Sequence, residues 1–209
     1  MEKRKIIIDC DPGHDDAVAI MMAGSYPGFE LLGITVEAGN QTIEKTVRNT
    51  LNLVQYLDLN VPVAAGMGIP LKRMPMNCAE IHGKTGLDGF KFPKLTRKVD
   101  ERDAVELLYD LLKEHKHVTL VPTGPLTNIA KLIMEHKDAT KWIDEIVLMG
   151  GSIGHGNVTP AAEFNIVCDP EAAEIVFNSG IKVKMIGLDV TRKVLVLPEI
   201  IEKMQGIHN

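Results

Sequence analysis

At 209 residues, with 45% hydrophobic side chains and near-zero mean hydropathy, the chain suits one α/β domain with a sizeable core. Its net charge of −5 excludes a basic nucleic-acid-binding face, and no basic stripe stands out. Three scattered cysteines (Cys10, Cys78, Cys168) form neither a zinc pattern nor a disulfide framework, and the basic N-terminus leads into an apolar run too short for a signal peptide or membrane span, so a reducing cytoplasm is expected.

Along the chain, strand and helix patterns alternate. Strands are predicted over 5–9, 31–36, 61–64, 118–122, 145–149 and 182–186, and helices over 15–24, 41–57, 103–115, 126–135, 170–178 and 198–205. Strand cores such as Ile6-Ile7-Ile8 and Ile146-Val147-Leu148 are continuously apolar, as parallel strands buried on both faces should be. Strand–helix alternation predicts an α/β fold with an open, doubly wound, mostly parallel sheet. The stretch 66–100 is irregular and too long for a mere connection, which marks it as a functional loop. In such sheets ligands sit beyond the carboxyl ends of the strands, so residues that follow strand ends should converge on one rim.

The most informative segment comes first. Between Lys5 and Lys45 there is no Lys or Arg, yet Asp9, Asp11, Asp15, Asp16, Glu30, Glu37 and Glu44 all fall there. Ile6-Ile7-Ile8-Asp9-Cys10-Asp11-Pro12-Gly13-His14-Asp15-Asp16 reads as a buried strand, a tight turn and a helix start. Like charges a few ångströms apart repel by about 4 kcal/mol at an effective dielectric near 20. With no basic side chain at hand, a divalent cation is the simplest neutraliser, and an all-oxygen ligand set selects a hard one, Ca²⁺ or Mg²⁺. Asp15 and Asp16 enter the first helical turn, where the dipole favours negative charge. Adjacent helical side chains point about 100° apart, so one can join Asp11 on a metal while the other faces a ligand.

Other pieces follow later strands. Asn40, in Val36-Glu37-Ala38-Gly39-Asn40, is placed to bind a ligand or simply to cap the second helix. Val121-Pro122-Thr123-Gly124-Pro125 ends a strand in kinked backbone whose free carbonyls suit Ca²⁺. Leu148-Met149-Gly150-Gly151 turns from strand to loop, and Asn157 follows. In Glu163-Phe164-Asn165, an extended backbone would turn Glu163 and Asn165 to the site together with Phe164 packed behind. A carboxylate beside amides suits sugar hydroxyls.

Taken together, Asp9-Cys10-Asp11-Pro12-Gly13-His14-Asp15-Asp16 with Thr123, Met149-Gly150-Gly151, Asn157 and Glu163-Phe164-Asn165 resembles the inosine–uridine nucleoside hydrolase family, over essentially the whole chain. Its opening is most similar to the bacterial pyrimidine-preferring members. The resemblance implies a single domain over 1–209 with a Rossmann-like core, and hydrolysis of the N-glycosidic bond of ribonucleosides, with uridine, cytidine and inosine as candidates. It implies Ca²⁺ held by Asp11, Asp16 and the Thr123 carbonyl, and Asp11 as the general base. It also implies a nucleoside gripped by Asp15, Asn40, Met149, Asn157, Glu163 and Asn165, with His82 near the base, in a cytoplasmic homotetramer or homodimer. Family members are longer: their C-terminal third carries a His-Asp pair, and after Lys193 this chain offers only His208, so the domain is expected to be C-terminally incomplete.

Two rival readings are open. A catalytically impaired Ca²⁺- and ribose-binding remnant would lack that pair. A haloacid-dehalogenase-like phosphatase would use Asp9 as nucleophile and Asp11 as acid/base, but Pro12-Gly13-His14 stands where a Thr or Ser is wanted.

Overall fold

The computed structural model describes residues 3–207. In chain order it comprises β1 (Arg4–Cys10), α1 (His14–Ser25), β2 (Phe29–Val36), α2 (Ile43–Tyr56), β3 (Val63–Ala65), α3 (Ala79–His82), α4 (Ala104–His115), β4 (Val118–Pro122) and α5 (Thr127–Glu135). A 3₁₀ turn (Lys137–Trp142) then leads into β5 (Ile143–Met149), α6 (Phe164–Cys168), α7 (Pro170–Phe177), β6 (Val183–Ile186), α8 (Leu188–Thr191) and α9 (Pro198–Gln205).

The six strands form one sheet in the order β3-β2-β1-β4-β5-β6, with every pairing parallel. The order reverses direction between β1 and β4, so the chain winds outward from the centre both ways. That is the doubly wound arrangement the alternating pattern predicts.

Strand β1 shows why the sequence builds this sheet. Its side chains alternate between two separate cores. Ile6, Ile8 and Cys10 join Ala17, Ile20, Leu53 and Val54 under α1 and α2, while Ile7 joins Leu107, Leu112, Leu120 and Ile129 under α4 and α5. Fully burying each of these isoleucines stabilises by roughly 1.5–3 kcal/mol, which anchors β1 as the central strand. Asp103 caps α4 by accepting from the Glu106 amide at 2.9 Å, with Glu106 returning the bond at 3.1 Å.

Twelve predicted elements recur with ends shifted by two residues at most. The short pieces α3, α6, α8 and the 3₁₀ turn had no periodic signal. Within 66–100 the only helix among the described residues is α3, so the irregular reading holds there. His208 lies outside the described residues.

Candidate functional site

The carboxyl ends of β1, β2, β4 and β5 meet where the sheet reverses, and the chain leaving each end contributes a polar group. Two main-chain bonds lock three of these ends together: the Thr123 amide donates to the Asp9 carbonyl at 2.8 Å, and the Glu37 amide to the Cys10 carbonyl at 3.0 Å.

Asp11 lies just past β1 and is fully buried. Its Oδ2 accepts from the Asn40 amide at 2.6 Å, whereas Oδ1 is buried with no partner. The Asn40 side chain donates through Nδ2 to the Asp11 carbonyl at 3.1 Å and to Asp16 Oδ2 at 3.2 Å. Asn40 therefore does not cap α2; Thr42 holds that position, and the amide instead bridges two acidic residues. Asp16, 4% exposed, also accepts from the Gly13 amide at 3.0 Å and from Thr123 Oγ1 at 2.6 Å. The Thr123 carbonyl accepts from Asn165 Nδ2 at 2.8 Å, and the same nitrogen reaches the Met149 carbonyl at 3.0 Å. One hydrogen-bonded chain thus joins Asp11, Asn40, Asp16, Thr123, Asn165 and Met149.

The remaining predicted residues border that chain. Asp15 is exposed on the first turn of α1, beside buried Asp16, which agrees with the split expected for neighbours on a helix. The half-buried His82 ring lies over Gly13 and stacks on His14 with centroids 6.3 Å apart. Asn157 is exposed, and its Oδ1 accepts from the Phe164 amide at 2.9 Å.

Glu163 and Asn165 differ from expectation: the segment is helical, not extended. Glu163 is the N-cap of α6, its Oε2 accepting from the Gly151 amide at 2.8 Å and the Ile166 amide at 3.3 Å. Both residues still reach the rim because the cap turns one inward and the first helical turn carries the other. Phe164 packs behind them with Cys78 and Cys168, as expected.

Electrostatics here are dominated by uncompensated negative charge. Burial, and then the Asp16 carboxylate, pushes the Asp11 carboxyl well above its usual range. Burial, and then Asp15, raises Asp16 to about 7. A second buried pair lies behind. Asp9 accepts from Thr35 Oγ1 at 2.6 Å and Asn128 Nδ2 at 2.8 Å, and burial raises it to about 6. Burial, and then the Asp9 and Asp11 carboxylates, push the Glu37 carboxyl well above its usual range. Asp9 Oδ2 and Glu37 Oε1 are likewise buried without a partner.

Sequence reasoning missed Glu37 and Asn128 as members of the site's supporting layer. The signal for Glu37 was present: a carboxylate directly after an apolar strand, in a region with no cation. Asn128 carried no such mark, since an amide one residue into a helix is ordinary.

The donor set suits a hard cation in kind, with two carboxylates and a free lone pair on the Thr123 carbonyl. Among the described residues no group of three or more His, Cys, Asp or Glu side chains is set to hold a metal, so the rest of a shell of six to eight oxygens would come from water and substrate. Glycines wall the position: a Cβ on Gly124 would lie 2.6 Å from Asp11 Oδ1, and one on Gly39 would collide with Oδ2.

The inosine-uridine preferring nucleoside hydrolase family model matches residues 6–209. The chain belongs to that family. It is 53% identical over 206 residues to the pyrimidine-specific ribonucleoside hydrolase RihB of Escherichia coli K12, a match covering 98% of this chain and 66% of the relative, just under two thirds of its length. The solved purine-preferring ribonucleoside hydrolase from Gardnerella vaginalis superposes with a TM-score of 0.87 at 40% identity, covering 91% of this chain and 62% of that one. An inosine-uridine preferring nucleoside hydrolase from Bacillus anthracis, at 23% identity and TM-score 0.82, shares the fold over 97% of this chain and 70% of its own. Family membership removes the phosphatase reading, and the geometry agrees. Asp9, its required nucleophile, is 1% exposed with Oδ1 held by Thr35 and Asn128. Among the described residues no helix is long and apolar enough to cross a membrane.

Proposed function

We propose that this chain hydrolyses the N-glycosidic bond of ribonucleosides, taking uridine and cytidine ahead of inosine, with Asp11 as general base. The observation that carries the reading is the partnerless Asp11 Oδ1, aimed from the sheet's reversal point among sugar-binding side chains. Family membership supports the reaction class, and 53% identity to a pyrimidine-specific relative supports the base preference.

Each side chain has a free group for its role. The Asn40 amide fixes Asp11 through Oδ2, so Oδ1 is the oxygen left to take a proton from attacking water. Burial raises the Asp11 carboxyl above its usual range, and a cation beside it would favour the ionised form that accepts a proton. A hard divalent cation, Ca²⁺, held by Asp11, Asp16 and the Thr123 carbonyl, would supply a bound water of lowered pKa. Ribose hydroxyls meet the exposed Asp15 carboxylate and Glu163 Oε1, since Glu163 spends only Oε2 on the backbone. Asn40 and Asn165 commit their Nδ2 groups internally and offer Oδ1, whereas Asn157 commits Oδ1 and offers Nδ2. Met149 lines the sugar's apolar face. The buried carboxylates stabilise the oxocarbenium-like charge that develops as the bond breaks. Burial lowers the His82 imidazole below its usual range, and the family resemblance supports a place for it near the departing base.

The free thiols of Cys10, Cys78 and Cys168 support a reducing, cytoplasmic setting, and the family resemblance supports a homodimer or homotetramer. A second reading, a calcium- and ribose-binding protein without turnover, is favoured by the two-carboxylate donor set. Assaying free ribose from uridine, cytidine and inosine, with and without chelator, separates them. Chelator-sensitive release establishes the hydrolase, while calcium binding with no release from any nucleoside establishes the second reading.

A further inference from the structure

Helix α8 is only one turn long, yet it fastens the whole loop that follows β5. The fastening begins with main chain: the Gly150 amide donates to the Ile186 carbonyl at 3.3 Å and the Leu188 amide to the Gly151 carbonyl at 2.9 Å. Asp189 then accepts from the Ile153 amide at 2.6 Å, the Gly154 amide at 3.1 Å and Ser152 Oγ at 3.4 Å. Arg192 continues the series, donating from Nη1 to the His155 carbonyl at 2.9 Å and from Nη2 to the Gly156 carbonyl at 2.8 Å. Every residue from Gly150 to Gly156 is therefore gripped from the β6–α8 corner, the first two by main chain and the rest by Asp189 and Arg192. A carboxylate on backbone amides and a guanidinium on carbonyls are charge-assisted bonds, about twice as strong as neutral ones.

This grip ends where recognition begins. The next residue is Asn157, whose side chain bonds the Phe164 amide beside Glu163. A loop whose outer residues are exposed, Ile153 at 88%, has no core to hold its shape. Its conformation is set by these polar ties.

We infer that Asp189 and Arg192 are positioning residues: they fix the Ser152–Gly156 loop so that Asn157 meets the sugar of the bound nucleoside. Neither touches the substrate. The inference rests on the proposed nucleoside site and names the device that keeps one wall of it in shape.

The test uses the full chain with Asp189→Asn and Arg192→Lys, each close to isosteric. Hydrogen exchange at the Ile153 and Gly154 amides is read beside KM and kcat for uridine and the affinity for free ribose. In Asp189→Asn, exchange at those two amides should speed at least tenfold, while protection in β1 and α5 stays unchanged. KM and the ribose dissociation constant should rise about tenfold with kcat within a factor of three, since the loop binds but does not react. Arg192→Lys keeps the charge but loses the fork, and should show the same pattern at lower amplitude. Unchanged exchange in Asp189→Asn overturns the inference, as does faster exchange with unchanged KM and ribose affinity. A parent chain that binds neither uridine nor ribose overturns the nucleoside reading itself, a result visible before any variant is made.

Discussion

Both ends of the central sheet bury carboxylates, and they are neutralised in opposite ways. At the amino end Glu145, 7% exposed, is met by Lys184 at 2.9 Å, Lys182 at 3.2 Å and Arg4 at 3.4 Å. The Lys184 hydrogen bond, first among these, holds its carboxyl below the usual range. At the carboxyl end Asp11 and Asp16 are buried with only amides and a hydroxyl for company, and both are pushed up. The same side-chain chemistry is a finished structural contact at one end and an unfinished one at the other. The chain places three cations around one buried glutamate and, among the described residues, none around the two aspartates.

Four experiments press on that contrast, the first with the largest effect. Asp11→Asn keeps the shape and the Asn40 bond but removes the base, so kcat for ribose release should fall by about 10²–10⁴-fold with circular dichroism unchanged. Retained turnover would move the base elsewhere. Next, calcium at about a hundred times its dissociation constant should stabilise the chain by about 2.7 kcal/mol, read as a rise in Tm, and chelator should reverse it. The same addition to Asp16→Asn should give a much smaller rise, and an equal rise would place the ion away from these carboxylates. Third, Glu145→Gln removes the finished contact and strands three cations, but these are largely exposed and screened. Urea unfolding should show a loss of about 1 kcal/mol, with calcium response and KM untouched.

The last and smallest effect is one of sign. Raised folded-state values mean that Asp16, and Asp9 at about 6, hold protons in the native state that the unfolded chain releases. Their contribution is therefore fully present at low pH and is lost as pH rises through about 4 to 7 in the metal-free chain. Glu145, with a lowered value, behaves in reverse: its contribution is present above the unfolded value near 4.5 and is lost as pH falls. Melting the chelated chain across this range should show Tm declining toward neutrality, and Glu145→Gln should leave that decline unchanged, since the Glu145 contribution varies only below about 4.5. Calcium should remove the Asp16 share of the decline and leave the Asp9 share. A chelated chain that stabilises toward pH 7 would contradict the charge assignment at the carboxyl end.

Most of the fold was legible because β1 and β5 hold unbroken apolar runs and α2, α4 and α5 have a clear helical period. The Asp-rich turn was legible for a related reason: charge without countercharge in one window is visible in one dimension. What escaped was short or nonlocal. Helix α6 is five residues long, too brief for periodicity, and the Glu163 cap that creates it shows only through its bond to Ile166. The bridging role of Asn40 depends on Asp11 and Asp16 lying 29 and 24 residues away, so a capping role was equally readable from the sequence. Asn128 meets Asp9 across 119 residues, a contact no local pattern encodes.

The two glycines flanking Asp11 carry one more implication. Gly39 and Gly124 come from the chain leaving β2 and β4, the strands on either side of β1, so peptide planes form the walls around the carboxylate. Peptide planes have no rotamers to swing aside, and these two follow strands whose ladders end at Val36 and Pro122. A cation held by Asp11 would meet this unyielding wall, so barium should bind far more weakly than calcium.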